Sequence, residues 1–380
     1  MQYRKFGKLD WKVSALSFGA MRLPVNNWEN NGENINEKEA IDMMRFAADN
    51  GVNYFDTAYP YHNGKSEVVV GKALKGGYRA KVKVATKMPT WLIKSHDDFD
   101  RLLNEQLKRL DMEHIDFYLL HGLGKWSWEN VILKNNIILK AEAAVKDGRI
   151  GHIGFSFHDN YDAFKMIIDG YGKWEFCQIQ YNYMDTEKQA EKRGLQYAAL
   201  KGIPVVVMEP LLGGRLSKPP DNVKKVFEAS DKKRTASEWA LQWVWNHPEV
   251  TTILSGMSSM KQVQENIASA NNAAANSFLP EELKTIGMAR MKFEERQPIP
   301  CTKCNYCLPC PNNVNIPRNF EIYNDGMVYN DMNGAKIVYA RFFGNGGKAD
   351  LCTQCKECEE KCPQKIEISK LISEVKIALA

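Results

Sequence analysis

Two sets of residues have the types and spacing of reactive groups. Toward the end of the chain stand Cys301, Cys304, Cys307 and Cys310 followed by Pro311, then Cys352, Cys355, Cys358 and Cys362 followed by Pro363. The second run is C-x₂-C-x₂-C-x₃-C-P, the ligand pattern of a [4Fe-4S] cluster, and the first is one residue shorter between its third and fourth cysteines. Zinc bound by paired C-x₂-C units is the alternative, but a third cysteine at the same spacing and a Cys-Pro ending are atypical of it. Asp56, Lys87 and His121 form the second set, each closing a run of apolar or β-branched residues: YFD, VATK and YLLH. One charged group at the end of such a run commonly just meets water. Three in register point to a site.

The elements that would carry them alternate regularly. Strand-like runs cover residues 15–21, 51–58, 81–87, 114–121, 149–156, 175–182, 203–210 and 250–257. Between them lie amphipathic segments: residues 36–51, with Ile41, Met44, Arg45 and Ala48 on one face; 95–111, with Ser95 as the expected N-cap; and 235–248, ended by Pro248. Eight such pairs within residues 1–290 predict an α/β fold, a (β/α)₈ TIM barrel, with catalytic groups at the C-terminal strand ends. A doubly wound open sheet is the alternative, although no G-x-G-x-x-G turn follows an early strand. The first dozen residues read as a hairpin ahead of the barrel. Residues 291–380 are expected to form a small, mainly helical second domain, with QPIP (297–300) as a stiff connector.

Composition narrows the partners. Lys and Arg number 51 and Asp and Glu 46, a net charge of +5, with 44% hydrophobic and 26% charged residues. These are ordinary globular values, which exclude a disordered chain or a nucleic-acid-coating tail, so no nucleic-acid partner is expected. No apolar run reaches the roughly 18 residues of a membrane-spanning helix, so no membrane association is expected. The opening MQYRKFGKLD holds no signal-peptide-like apolar stretch, which predicts a cytoplasmic chain whose thiols persist as metal or cluster ligands rather than disulfides. Cys177, inside a predicted strand, is read as a small buried hydrophobe.

Over nearly all of residues 1–290 the sequence resembles the aldo-keto reductases. The family's catalytic tetrad of Asp, Tyr, Lys and His corresponds to Asp56, Tyr61, Lys87 and His121, with Tyr61 five residues after Asp56 in FDTAYPY and Tyr59 as a wall residue. The resemblance implies hydride transfer between NAD(P)H and a small carbonyl or alcohol substrate. A phenol with an ordinary pKa of about 10 is a reluctant acid at neutral pH. Lys87 would stabilise its phenolate and lower its pKa, Asp56 would hold Lys87, and a neutral His121 would orient the substrate oxygen.

Cofactor residues carried over from the family match unevenly. Its carboxamide-binding Ser-Asn-Gln trio appears as Ser156 and Gln178, with Phe157 where the Asn is expected, so one hydrogen bond is lost. Met208 takes the place of the aromatic that stacks on the nicotinamide, Pro210, Leu211 and Gly213 resemble the pyrophosphate loop, and Met21 flanks the same cavity. At the adenosine end stand Gly256, Gln262, Glu265 and Asn266, with Lys261 the sole cation of SGMSSMKQVQENI. The family implies NADP(H), but without the usual basic residues for a 2′-phosphate NAD(H) remains open. The walls would draw on Trp28, Tyr59, Trp91, Trp126 and the second domain.

The stretch between the cysteine runs reads as two helices, residues 316–329 and 332–343, and resembles the helical dicluster ferredoxins. In two-cluster ferredoxins each run takes its fourth ligand from the other. That predicts one [4Fe-4S] cluster on Cys301, Cys304, Cys307 and Cys362 and a second on Cys310, Cys352, Cys355 and Cys358. A nicotinamide gives two electrons as hydride whereas each cluster passes one, and no flavin motif is present. The clusters are therefore structural or redox-sensing, or they exchange electrons with a one-electron carrier protein. The alternative function is a non-catalytic nicotinamide-sensing or electron-transfer subunit of a larger redox complex.

Overall fold

Alternating β-branched runs and amphipathic segments become ten strands among the described residues, which are 1–27, 32–344 and 346–380 of this computed structural model. Trp28 lies outside them. Strands β1 (Tyr3–Lys5) and β2 (Lys12–Ser14) form the expected antiparallel hairpin, with Tyr3 opposite Ser14. Strands β3 (Leu16–Gly19), β4 (Tyr54–Asp56), β5 (Lys83–Met88), β6 (Ile115–Leu123), β7 (Ile150–Phe157), β8 (Phe176–Gln180), β9 (Val205–Met208) and β10 (Val250–Gly256) follow. They close into a parallel barrel in the order β10-β3-β4-β5-β6-β7-β8-β9, so the open-sheet alternative is excluded and the fold is a (β/α)₈ barrel.

The hairpin fills the barrel. Phe6, between its strands, is fully buried against Tyr54, Phe117 and Phe176, with ring centroids 4.9 Å from Phe117 and 5.9 Å from Phe176. Such edge and tilted ring contacts pack the interior as a core rather than a pore. Two helix details differ from expectation. The Glu37–Asp49 helix buries Ala40, Met43, Met44, Ala47 and Ala48, a face centred one position away from Ile41 and Arg45. The Asp98–Leu110 helix is not capped by Ser95. Its own first residue, Asp98, accepts from the Lys94 and Ser95 backbone N–H groups at 2.9 Å, the carboxylate favouring the positive end of the helix.

The described chain divides into two compact units: Met1–Gly213 with Glu238–Phe278, and Gly214–Ser237 with Leu279–Ala380. The second unit is helical, as expected. Its Ile316–Val328 and Met332–Phe342 helices are capped by Asn315 and Asp331, which accept from Arg318 N and Gly334 N. Its core gathers Ile299, Val314, Phe320, Tyr339, Ile372 and Val375. Ile299 is tied by Asn324 through both its N–H (3.2 Å) and its C=O (2.8 Å), so QPIP is an anchored part of this core rather than a bare connector. The segment 214–237 was not foreseen here. Arg215 bonds Asp331 at 3.2 Å, and Asn222 donates to the Lys292 carbonyl at 2.9 Å. Among the described residues, no helix is long and apolar enough to cross a membrane.

Candidate active site and cysteine cages

Neighbouring strands deliver the first cluster of groups. Asp56 ends β4, Lys87 is the penultimate residue of β5, and His121 lies near the end of β6. Lys87 Nζ donates to Asp56 Oδ1 (2.5 Å), the Thr57 carbonyl (2.8 Å) and Tyr61 Oη (3.3 Å). Both members of the ion pair are buried, Lys87 to 1% exposure. Burial alone would depress the Lys87 ammonium, but Asp56 and Tyr61 outweigh it and hold the group above its ordinary value. Burial is also the largest influence on the Tyr61 phenol. Against the opposing pull of Lys87 it leaves the phenol above its ordinary value, with Asp56 and Glu209 adding to the rise. The net shift is thus opposite to the expected lowering, because desolvation exceeds the attraction of one ammonium.

Tyr61 reaches Lys87 through a turn of uncommon backbone. His62 and Asn63 take left-handed conformations, φ 50° and 54°, which cost free energy at non-glycine positions and are found where a site must aim a side chain. His62 holds the turn: Nε2 accepts from Leu23 N (3.1 Å) and Nδ1 bonds the Gly32 carbonyl (2.6 Å). The His121 ring stands edge-on to Tyr61 with centroids 6.1 Å apart, and its Nδ1 is buried without a hydrogen-bond partner. Burial, then the charge of Lys87 and His158, drives His121 well below the usual imidazole range, so the ring is neutral at physiological pH. Half-exposed Trp91 lies 5.1 Å from it. Tyr59 faces elsewhere, its hydroxyl donating to Glu105 and its ring lying under Arg109. Trp126 is exposed.

The residues carried over for a nicotinamide offer usable groups. Ser156 Oγ accepts from Gly122 N (2.8 Å), leaving its own proton to give. Gln178 approaches Met208 Sδ with Nε2 (3.7 Å), while its buried Oε1 has no partner, the unmet acceptor a carboxamide N–H would satisfy. Phe157 packs on Phe164 at 5.0 Å and offers no amide. After β9 the loop holding Pro210 and Leu211 runs through left-handed residues, Glu209, Leu212, Gly213 and Gly214, with φ of 55°, 48°, 65° and 94°. At the other rim Gly256 is exposed, Gln262 Oε1 accepts from Ser258 N (2.8 Å), Asn266 is tied to Ser255 (3.0 Å), and Lys261 lies 3.7 Å from Glu265. Exposed Met21 lies in the middle of the turn Ala20–Arg22 that follows β3.

Two charged groups here escaped the sequence reading. A Cβ placed on Gly256 would meet the stem of Arg22, and one on Gly213 would lie 3.3 Å from its Nη2, so this cation spans the two loops. Glu209 places Oε2 3.6 Å from that same Gly213 position. Arg22 and Glu209 both follow strand ends, and the rule applied to Asp56, Lys87 and His121 would have found them.

In the second unit the thiols surround two voids. Cys301, Cys304, Cys307 and Cys362 line one recess. Cys310, Cys352, Cys355 and Cys358 line another, to which Cys307 also contributes. Spacer residues Lys303, Asn305, Gln354 and Lys356 are left-handed (φ 57° to 66°), the curl that turns successive thiols inward. Among the described residues no three Cys, His, Asp or Glu side chains close on one point as a single metal ion requires. Cys177, in the barrel, is fully buried and its thiol is pushed up by burial.

Comparison with known proteins agrees with this architecture. The model of the aldo/keto reductase family matches residues 15–281, and that of the 4Fe-4S dicluster domain matches residues 300–367. The chain is 27% identical over 326 residues to an L-galactose dehydrogenase of Arabidopsis thaliana, covering 79% of this chain and 94% of that one. It is 26% identical over 312 residues to a probable voltage-gated potassium channel subunit beta of the same plant, covering 70% and 90%. The solved holo form of an aldo-keto reductase from Bacillus halodurans superposes with a TM-score of 0.62 at 27% identity, covering 76% of this chain and 96% of that one. The chain belongs to the aldo/keto reductase family, with a 4Fe-4S dicluster domain in its C-terminal part.

Proposed function

We propose that this protein interconverts a carbonyl and an alcohol by hydride exchange with a bound NAD(P)H, Tyr61 acting as the acid or base. The observation that carries the reading is the three-way bonding of Lys87 to Asp56, the Thr57 carbonyl and Tyr61 in a buried site. As negative charge grows on the substrate oxygen, Tyr61 gives its proton, and the adjacent ammonium stabilises the phenolate left behind. Asp56 keeps Lys87 charged despite burial. His121, neutral, offers one N–H to the same oxygen and fixes its direction. Trp91 beside it supplies an apolar wall.

Ser156 and Gln178 fit a carboxamide, Met208 an apolar ring face, and Pro210, Leu211 and Gly213 with Arg22 a pyrophosphate. Met21, Gly256, Gln262, Glu265 and Asn266 would surround the remainder. The nicotinamide supplies the hydride when bound. Lys261 beside Glu265 presents little net charge, which supports weak discrimination between NADH and NADPH. The two thiol cages are assigned to [4Fe-4S] clusters with the fourth ligands exchanged, Cys362 serving the first run and Cys310 the second. The clusters would exchange electrons with a one-electron carrier or sense redox state.

A second reading, a nicotinamide-sensing subunit, draws on the relative named as a channel subunit. Anaerobic assay of the iron-loaded protein with a carbonyl panel and both nicotinamides decides between them. Turnover of at least one carbonyl is expected. Tight nicotinamide binding without turnover of any would favour the sensor.

A further inference from the structure

Behind the Lys87–Tyr61 pair lies a buried polar cluster with no part in the chemistry above. Glu67, on the Lys65–Ala73 helix, is fully buried. A lone carboxylate there would be costly. Three donors converge on it: Thr86 Oγ1 (2.6 Å), Gln106 Nε2 (2.6 Å) and Arg109 Nη1 (3.3 Å). Gln106, fully buried on the Asp98–Leu110 helix, extends the connection one way. Its Nε2 also donates to the Lys87 carbonyl (3.0 Å), and its Oε1 accepts from the Tyr118 hydroxyl (2.6 Å), which fixes the amide's orientation. Arg109 extends it the other way, donating from Nη1 to the Tyr59 carbonyl (3.1 Å) and from Nη2 to Glu105 (2.6 Å), with its guanidinium 4.0 Å from the Tyr59 ring centroid.

A hydrogen-bonded bracket thus runs from the backbone of Lys87, through Gln106, Glu67 and Arg109, to the backbone of Tyr59, two residues before Tyr61. Of the three bonds made by Lys87, the one to Tyr61 is the longest, 3.3 Å against 2.5 and 2.8 Å. A small shift at either end of the bracket acts first on that bond. We propose that Glu67 is a positioning residue that holds the Lys87 ammonium and the Tyr61 hydroxyl in register. This inference rests on the reading of Tyr61 as the acid.

The attraction between ammonium and phenolate falls with distance, so a slackened bracket weakens the hold of Lys87 on the phenolate. The charged or titratable groups around Tyr61 are Lys87, Asp56, Glu209 and His121. Those around Glu67 are Arg109, with Glu105 and Tyr59 beyond it, and Tyr118 across Gln106. Removing Glu67 therefore changes Tyr61 chiefly through Lys87.

The test compares Glu67→Ala, Glu67→Gln and Arg109→Ala in the iron-loaded protein, reading kcat, KM, nicotinamide Kd and the pH profile of carbonyl reduction. Glu67→Ala should lower kcat by about tenfold or more and move the alkaline limb upward, with KM and Kd within about threefold. Glu67→Gln should recover part of kcat, since one amide oxygen still accepts. Arg109→Ala, at a partly exposed side chain, keeps the question decidable if Glu67→Ala fails to fold, and should move the limb in the same direction. An unchanged kcat, or a lowered kcat with an unmoved limb, would overturn the assignment. Tyr61→Phe, run alongside, separates the two levels: if it retains the wild-type rate, the reading of Tyr61 fails. If it is inactive while the Glu67 and Arg109 variants match wild type, only the inference about Glu67 fails.

Discussion

All seven histidines lie in the barrel unit, and eight of the nine cysteines lie in the other. The two sets of ligating and proton-moving groups are held by different means. Asp56 and Lys87 stand on strands whose backbone bonds are completed by neighbouring strands, and the two side chains aim each other before any ligand arrives. The thiols of the second unit stand on short loops that curl through left-handed residues over a small apolar core. In the barrel the fold makes the site. In the cysteine unit the ligand is expected to make the local fold, because a tight loop around a void has few contacts of its own.

Removing iron should break that comparison open with the largest effect. Anaerobic chelation is expected to abolish amide-exchange protection around residues 301–310 and 352–362 and to leave the barrel strands protected. Equal protection with and without iron would show that the loops hold themselves. Cys362→Ala sharpens the point, since it should disturb the cluster of the first run more than that of its own, as read by electron paramagnetic resonance. Damage confined to the second-run cluster would count against the exchanged fourth ligands.

A change of pH should separate the units in the opposite sense. Burial keeps His62, His121 and His247 below the ordinary imidazole value. Unfolded imidazoles titrate near about 6.5, so below that pH the unfolded barrel takes up protons that the folded barrel refuses. Barrel stability is therefore full above this value and falls as pH drops from about 7 toward about 5, by some 5 °C or more in melting temperature. The second unit has no histidine and should not share that dependence. A barrel melt that is flat over this range would mean the imidazoles are more accessible than their packing indicates.

The smallest effect concerns the adenosine end. Gln262→Arg should shift preference toward NADPH by about tenfold, because a guanidinium suits a 2′-phosphate and the lysine beside it, Lys261, lies 3.7 Å from the Glu265 carboxylate. No change in the ratio of the two affinities would place the 2′-phosphate elsewhere.

The eight barrel strands were legible as apolar or β-branched runs, and Asp56, Lys87 and His121 because they sit where such runs end, whereas Tyr61, in a turn five residues past Asp56, was legible only through the family resemblance. The two helices between the cysteine runs were legible from the Asn and Gly residues at their borders. Other features were not. The Glu67, Gln106 and Arg109 bracket joins residues about forty apart, and only the packed helices bring them together. The place of 214–237 in the second unit depends on side-chain pairs such as Arg215 with Asp331. Ser95 has the right type for a cap, but it stands before the helix start, where its N–H and hydroxyl both donate to the Asp98 carboxylate. The upward shift of Tyr61 came from burial, which no spacing reports.

The central claim is that Tyr61, held by Lys87, moves the proton. Its most direct test is an anaerobic single-turnover measurement with Tyr61→Phe, following oxidation of the bound nicotinamide by an accepted carbonyl and, separately, nicotinamide affinity. The account predicts a rate lower by about a hundredfold or more with affinity changed by less than about threefold. A rate near that of the unaltered protein, at unchanged affinity, would contradict it.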